Sequence, residues 1–232
     1  MTAIKYTANV GQKFNKDRSV HPFAGNTIIC FVDPHIHPTI YNEAVWAQIQ
    51  LLGMSCTHKF GFLPPSSFHM TVVEGLNDQG RRPERWSRQL PLDASLEEMD
   101  RFLIDRCAEL DFPGHFKIGF KQMKAPATLS VGPINEKANR DIWQFRNQIA
   151  DLTGIRRADF DDYKFHITLG YNLIELEPDE VAEQNEVFQR IDKRLKETFG
   201  VFKTASPMLT FFDDMTKFVP AGERLSLNSR QK

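Results

Sequence analysis

The feature that most constrains this chain is a five-residue pattern of alternating apolar and polar side chains that occurs twice. Residues 68–72 (FHMTV) and 165–169 (FHITL) both read aromatic, histidine, apolar, threonine, apolar. Successive side chains of a β-strand point to opposite sides, so the histidine and threonine share one side and the apolar residues share the other. The pattern therefore predicts two strands that each bury an apolar side and present an imidazole beside a hydroxyl.

A lone His-x-Thr strand most often holds a hydrogen-bonded structural histidine, but two matching copies favour a shared polar site. That site would consist of His69, Thr71, His166 and Thr168. Histidine can take up or release a proton near neutral pH, and threonine hydroxyls can donate to phosphate oxygens. The four residues therefore suit hydrolysis or transesterification of a phosphodiester, with one histidine as base and the other as acid. This arrangement requires no metal or cofactor.

The order of elements predicted along the chain places these strands in an α+β fold. Helices are indicated at about 39–53, from the capping box Ser95-x-x-Glu98, at about 135–152 and from Pro178. Strands are indicated at 27–32, 68–73, 116–120, 128–131, 165–169 and 208–212. We expect a polar leader (1–26), one duplicated, bilobal domain (27–215) with largely antiparallel sheets flanking a central cleft, and a C-terminal tail (216–232).

Composition limits the partners. Twenty-nine basic residues against 30 acidic ones leave a net charge of −1, so no global field is available to hold long nucleic acid. The first residues form no apolar stretch of signal-peptide length, and no segment is apolar enough to cross a bilayer, so we expect a cytoplasmic location without membrane association. Three widely spaced cysteines are expected to be reduced packing residues: Cys30, Cys56 and Cys107.

The paired tetrads HMTV (69–72) and HITL (166–169) resemble the signature of the 2H phosphoesterase superfamily, which includes 2',3'-cyclic phosphodiesterases also described as 2'-5' RNA ligases. The resemblance implies a bilobal α+β fold with the two motifs on strands of a central cleft. It also implies metal-independent attack on cyclic or linear phosphodiesters of a nucleotide, an RNA end or a related metabolite. His69 and His166 would be acid and base, in an order that the sequence leaves open.

Two positions differ from the RNA-processing branch of that superfamily. Gly170-Tyr171-Asn172 follows the second tetrad, where that branch often has a basic residue. Glu74 follows the first tetrad, and its carboxylate would repel a polyanion if it faced the cleft. These differences favour an uncharacterised branch over the RNA ligases.

Further candidates could bind substrate. Tyr171 lies at an odd offset from His166 and reaches the cleft only if Gly170 permits a bulge, and Tyr163 is a second candidate stacking ring. The loop at 81–88 combines phosphate-binding arginines with a stacking face, which could form a lid, although a solvated loop is the commoner outcome. Its candidate residues are Arg81, Arg82 and Trp86.

Two alternatives remain open at this stage. The same cleft could belong to a non-catalytic module that binds a nucleotide or another phosphoester. His35-x-His37 could instead provide two ligands of a metal-dependent hydrolase, although a Pro-bounded loop surrounds the pair and no further ligands are visible.

Overall fold

The computed structural model describes residues 4–108 and 110–223, and it confirms the predicted α+β class. The helices are α1 (Pro38–Leu52), α2 (Leu96–Cys107), α3 (Glu136–Thr153) and α4 (Pro178–Thr198). The strands are β1 (Gly25–Phe31), β2 (Phe60–Phe62), β3 (His69–Asn77), β4 (Lys117–Lys124), β5 (Thr128–Pro133), β6 (His166–Thr168), β7 (Gly170–Asn172), β8 (Val201–Lys203), β9 (Met208–Phe212) and β10 (Val219–Pro220).

The helices begin and end where local chemistry favours it. The Ser95 hydroxyl accepts the Glu98 N–H and the Glu98 carboxylate accepts the Ser95 N–H, so the predicted capping box starts α2. Asn135 caps α3 through its side chain, and Gly154 ends that helix with a φ of 64°. The structure therefore confirms the predicted capping box of α2, and α3 begins and ends within one residue of its predicted bounds.

The described residues form one eight-stranded antiparallel sheet in the order β10-β9-β1-β3-β6-β5-β4-β8. The two histidine strands, β3 and β6, are neighbours at its centre, with three further strands on the side of each. Helix α2 packs on β1 and β9, α3 on β3 and β5, and α4 on β4. The strand order has equal numbers of strands on either side of the histidine strands, which join the two halves of the sheet.

The second histidine strand is shorter than its pattern predicted, because the chain changes sheets after Thr168. It continues as β7, which pairs with β2 in a separate two-stranded sheet. Gly170 permits the close approach, since a Cβ there would lie 2.9 Å from Cδ1 of Phe62. The buried amide of Gln48 donates 2.8 Å hydrogen bonds to the carbonyl oxygens of Leu63 and Leu169, so the crossing leaves both carbonyls paired.

The segment predicted as a polar leader packs onto the domain. The N–H of Thr7 donates to the Leu173 oxygen and the N–H of Glu175 to the Lys5 oxygen, at 3.0 and 2.9 Å. Phe14 is only 2% exposed, and its ring covers Gly61 in β2. These contacts make residues 5–14 part of the folded body.

At the other end, β10 pairs with β9 inside the segment predicted as a tail, and residues 224–232 lie outside the described part of the chain. The three cysteines are free and buried. Across the described ranges, no helix is both long and apolar enough to span a membrane.

The contact between Phe14 and Gly61 predicts a stability change. Gly61→Ala would place a methyl group 2.8 Å from the Phe14 ring, so we expect a loss of about 1–3 kcal/mol in the free energy of unfolding. Urea denaturation would measure it. Gly114→Ala is the matched control because a Cβ there meets nothing within 4 Å. Equal denaturation midpoints for the two variants would contradict the contact.

Candidate active site

The register between β3 and β6 brings the two predicted His-x-Thr pairs together. Met70 lies opposite Ile167, so in an antiparallel pair His69 comes opposite Thr168 and Thr71 opposite His166. Directly opposed side chains have Cβ atoms about 4.5–5.5 Å apart. The four residues therefore form a compact group with the histidines on its diagonal, and all four line one cleft of about 440 Å³.

Each imidazole is oriented by its own backbone. Nδ1 of His69 lies 2.6 Å from the Ser67 carbonyl oxygen, and Nδ1 of His166 lies 2.7 Å from that of Lys164. A carbonyl oxygen can only accept, so Nδ1 carries the proton in both rings. The Nε2 atoms are therefore the ones available for proton transfer, and the repeat extends to the residue two positions before each histidine.

The surroundings of His69 favour its neutral form. Its ring packs against Phe218, with the ring centroids 4.2 Å apart. Burial lowers the pKa of His69 to about 4; the hydrogen bond to Ser67 opposes this shift and the nearby His166 adds to it. At neutral pH this imidazole is therefore uncharged, with Nε2 unprotonated.

The cleft is positively charged overall. Among the described residues, its lining includes four cations and a single carboxylate: Lys13, Arg82, Arg85, Arg157 and Glu74. Nη1 of Arg157 lies 2.9 Å from Oε1 of Glu74, and Nη2 donates to the Gly75 oxygen at 2.8 Å. Glu74 does face the cleft, but its charge is paired, so it does not produce the repulsion that the sequence suggested.

Both candidate tyrosines line the cleft. Tyr171 reaches it because the chain changes sheets at Gly170, and its ring lies under the Lys13 ammonium, 4.3 Å from Nζ to the centroid. Tyr163 packs near His166, with ring centroids 6.1 Å apart. Burial raises the pKa of Tyr163, and its hydroxyl is within hydrogen-bonding contact of Thr71.

Arg82 is the one candidate from the arginine-rich loop that lines the cleft. Trp86 is 4% exposed and its indole N–H donates to the Pro91 oxygen. Arg81 stacks on Trp86, pairs with Asp78 at 2.7 Å and donates to backbone oxygens. The structure does not bring Arg81 and Trp86 to the cleft, because their polar groups are used within the loop.

Arg146 was not a candidate, because the periodicity of α3 points Phe145 and Ile149 inward. It is nevertheless 2% exposed, and its guanidinium lies over the rings of Trp143 and Tyr163, at 4.7 and 4.4 Å. It donates to the carbonyl oxygens of Val72 and Phe160, and burial lowers its pKa to about 10. Arg146 thereby supports both the first histidine strand and the Tyr163 ring.

Sequence reasoning also missed cleft residues for which no local signal exists. Lys13 lies in a polar segment, Arg157 follows the end of α3, and Phe218 comes from the segment assigned to the tail. Each reaches the cleft through tertiary packing, which a motif search along the chain does not reveal.

His35 and His37, the histidine pair considered as metal ligands, differ in exposure. His37 is buried with the edge of its ring on Phe202, 4.9 Å between centroids, while His35 is exposed. Within residues 4–108 and 110–223, no group of three or more His, Cys, Asp or Glu side chains is arranged to hold a metal ion.

Comparison with known proteins agrees with this geometry. A family model named 2H-phosphodiest, described as a domain of unknown function (DUF1868), matches residues 13–129, which include the first His-x-Thr pair. The chain belongs to this family, and so to the phosphodiesterase-like 2H phosphoesterase superfamily.

Two solved structures show similarity. A conserved protein of unknown function from Agrobacterium tumefaciens, ATU0111, is 24% identical with a TM-score of 0.87, covering 93% of this chain and 92% of its own. TT0787 from Thermus thermophilus is 18% identical with a TM-score of 0.39, covering 80% and 86%. The first similarity shows that the fold extends over both halves. No curated protein matches the chain.

The lowered pKa of His69 predicts a pH-dependent stability. Between pH 6.5 and about 4 the unfolded chain protonates this histidine while the folded chain does not. The contribution of His69 to the free energy of unfolding is therefore present above pH 6.5 and is lost as the pH falls, by up to about 1.4 kcal/mol per pH unit. His69→Asn removes this titration.

Urea denaturation of wild type and His69→Asn between pH 7 and 4 would test it. The wild type should lose stability relative to the variant as the pH falls, whereas the exposed-site variant His115→Asn should follow the wild type. Parallel curves for wild type and His69→Asn would contradict a lowered pKa at His69.

Proposed function

We propose that this protein is a metal-independent phosphodiesterase that opens cyclic phosphodiesters, such as nucleoside 2',3'-cyclic phosphates or cyclic RNA ends. The observation that carries the proposal is the register of β3 and β6, which sets two imidazoles and two hydroxyls on the floor of one cleft. The backbone bonds at Nδ1 leave both Nε2 atoms available, which acid–base catalysis needs.

His69 is the base in the hydrolytic direction, because its lowered pKa keeps Nε2 unprotonated at neutral pH. His69 removes a proton from water as the water oxygen forms a bond to phosphorus. The bond from phosphorus to one ribose oxygen breaks, and Nε2–H of His166 protonates that oxygen. The products are a phosphate monoester and a free hydroxyl, and proton exchange with solvent restores both rings.

The threonines bind the phosphate in this scheme. Thr71 lies beside His166 and Thr168 beside His69, so each hydroxyl can donate to a different non-bridging oxygen. Negative charge grows on these oxygens as the fifth bond forms, and hydroxyl donors in fixed positions stabilise it. The cations of the cleft would attract the substrate from solution.

The activity can be tested by ³¹P NMR of a panel of 2',3'-cyclic nucleotides incubated with the protein in EDTA. We expect wild type to convert cyclic phosphates to monoesters, with the product shift identifying the bond that breaks. His69→Asn and His166→Asn should each lower turnover by about 10²-fold or more. Asparagine can still donate to the backbone oxygen while lacking Nε2, so a loss of activity is attributable to proton transfer.

His115→Asn is the matched control and should retain activity, because this exposed histidine lies outside the cleft. Binding without turnover of any panel member would favour the non-catalytic module. Activity that disappears in EDTA and survives His69→Asn would favour a metal hydrolase instead.

The pH dependence supplies a second test of the roles. His69 must be neutral to accept a proton, so kcat/KM should fall as the pH drops through about 4. General acid–base catalysis also needs a proton donor for the leaving oxygen, so kcat/KM should fall again at alkaline pH. We therefore expect a bell-shaped profile in a steady-state assay, and a monotonic rise between pH 5 and 9 would contradict the acid–base pair.

A further inference from the structure

The cleft contains more positive charge than a single phosphodiester needs. A phosphodiester carries one negative charge, and Glu74 already pairs with Arg157. The other cations of the lining are Lys13, Arg82 and Arg85, and in the described part of the chain no ion pair joins any of them to a carboxylate. This surplus suits a substrate with a further anionic group.

Of these three cations, Lys13 is held most firmly in the cleft. Its ammonium donates to the Tyr171 hydroxyl at 3.2 Å and lies 4.3 Å from that ring's centroid and 5.7 Å from that of Phe23. Its backbone oxygen accepts the N–H of His21 at 2.9 Å, and the next residue, Phe14, is buried. Arg82 and Arg85, by contrast, have exposed side chains in a loop.

Lys13 lies at the Thr168 end of the cleft, beside Tyr171. Tyr171 follows Thr168 by three residues, across the change of sheet at Gly170. Glu74 and Arg157 lie on the opposite side of the histidines, beyond Thr71. An ammonium has three N–H donors, and the Tyr171 hydroxyl takes one, which leaves two for an anion.

We propose that Lys13 binds a second anionic group of the substrate, so that the preferred substrates are cyclic nucleotides that also carry a phosphate monoester, such as a 5'-phosphate. This inference rests on the proposed function and narrows its substrate class. A charge-assisted hydrogen bond to the second phosphate should give such substrates about a 10- to 100-fold advantage in kcat/KM.

Turnover tests the preference directly. Adenosine 2',3'-cyclic phosphate would be compared with the same nucleotide bearing a 5'-phosphate. Wild type should prefer the 5'-phosphorylated form, mainly through KM, and the preference should disappear in Lys13→Met and persist in Lys13→Arg. Methionine keeps the apolar stem against Tyr171, so the variant removes charge with little change in packing.

Lys16→Met is the matched control. Lys16 belongs to the same segment and also lies over a tyrosine ring, that of Tyr6 at 5.2 Å, but does not line the cleft. The ratio of the two substrates should therefore stay at its wild-type value in this variant. Equal kcat/KM for both substrates in wild type, or a ratio unchanged by Lys13→Met, would overturn the inference.

Binding separates this inference from the catalytic proposal. Adenosine 3',5'-bisphosphate and adenosine 3'-monophosphate can be titrated into each variant by calorimetry without any turnover. A bisphosphate that binds at least about 10-fold more tightly to wild type and loses this advantage in Lys13→Met supports the second anion site, even if no cyclic nucleotide is cleaved. Equal affinities, or no binding of either nucleotide, would overturn it even if cleavage is observed.

Discussion

The pairing of Met70 with Ile167 determines where every proposed catalytic group lies. Both side chains are fully buried, and side chains of a strand alternate between its two sides. A shift of one residue in either strand would turn its imidazole and hydroxyl into the apolar interior and its apolar residues into the cleft. The hydrophobic packing that stabilises the sheet therefore also fixes the geometry of the site.

Charge and burial then change the pKa values and the net charge of the groups that this strand pairing brings together. The Phe218 ring removes water from His69, whose pKa falls, while Arg157 neutralises the Glu74 carboxylate. Arg146 supplies a buried cation that backbone oxygens and aromatic faces stabilise in place of a carboxylate. Each adjustment comes from a different part of the chain, so the site depends on the complete fold.

The distinction between local features and long-range contacts explains what the sequence could predict. Capping residues and long amphipathic repeats are local, so the helices followed from the Ser95 capping box, from Pro178 and from the apolar periodicity. The repeated motif predicted two histidines and two threonines on strands because its two-residue alternation matches the side-chain alternation of a β-strand.

Strands of two or three residues, such as β2, β7 and β10, contain too few positions to show this alternation, and they form because neighbouring strands offer hydrogen-bond partners. The positions of Trp86 and Arg81 depended on hydrogen bonds within their own loop, which composition does not specify.

A duplicated motif alone would give two equivalent histidines, yet acid–base catalysis needs one ring neutral and the other protonated. The central strands are related by near symmetry: each ring donates from Nδ1 to the carbonyl two residues earlier, and each strand has three further strands on its side. The asymmetry enters through segments outside that repeat. The chain after β9 places Phe218 on His69, whereas the ring that packs near His166 is Tyr163, whose hydroxyl contacts Thr71. The N-terminal segment likewise adds Lys13 at the Tyr171 end only. The proposed division of roles within the cleft therefore depends on the two ends of the described chain, where the repeat pattern gives no information.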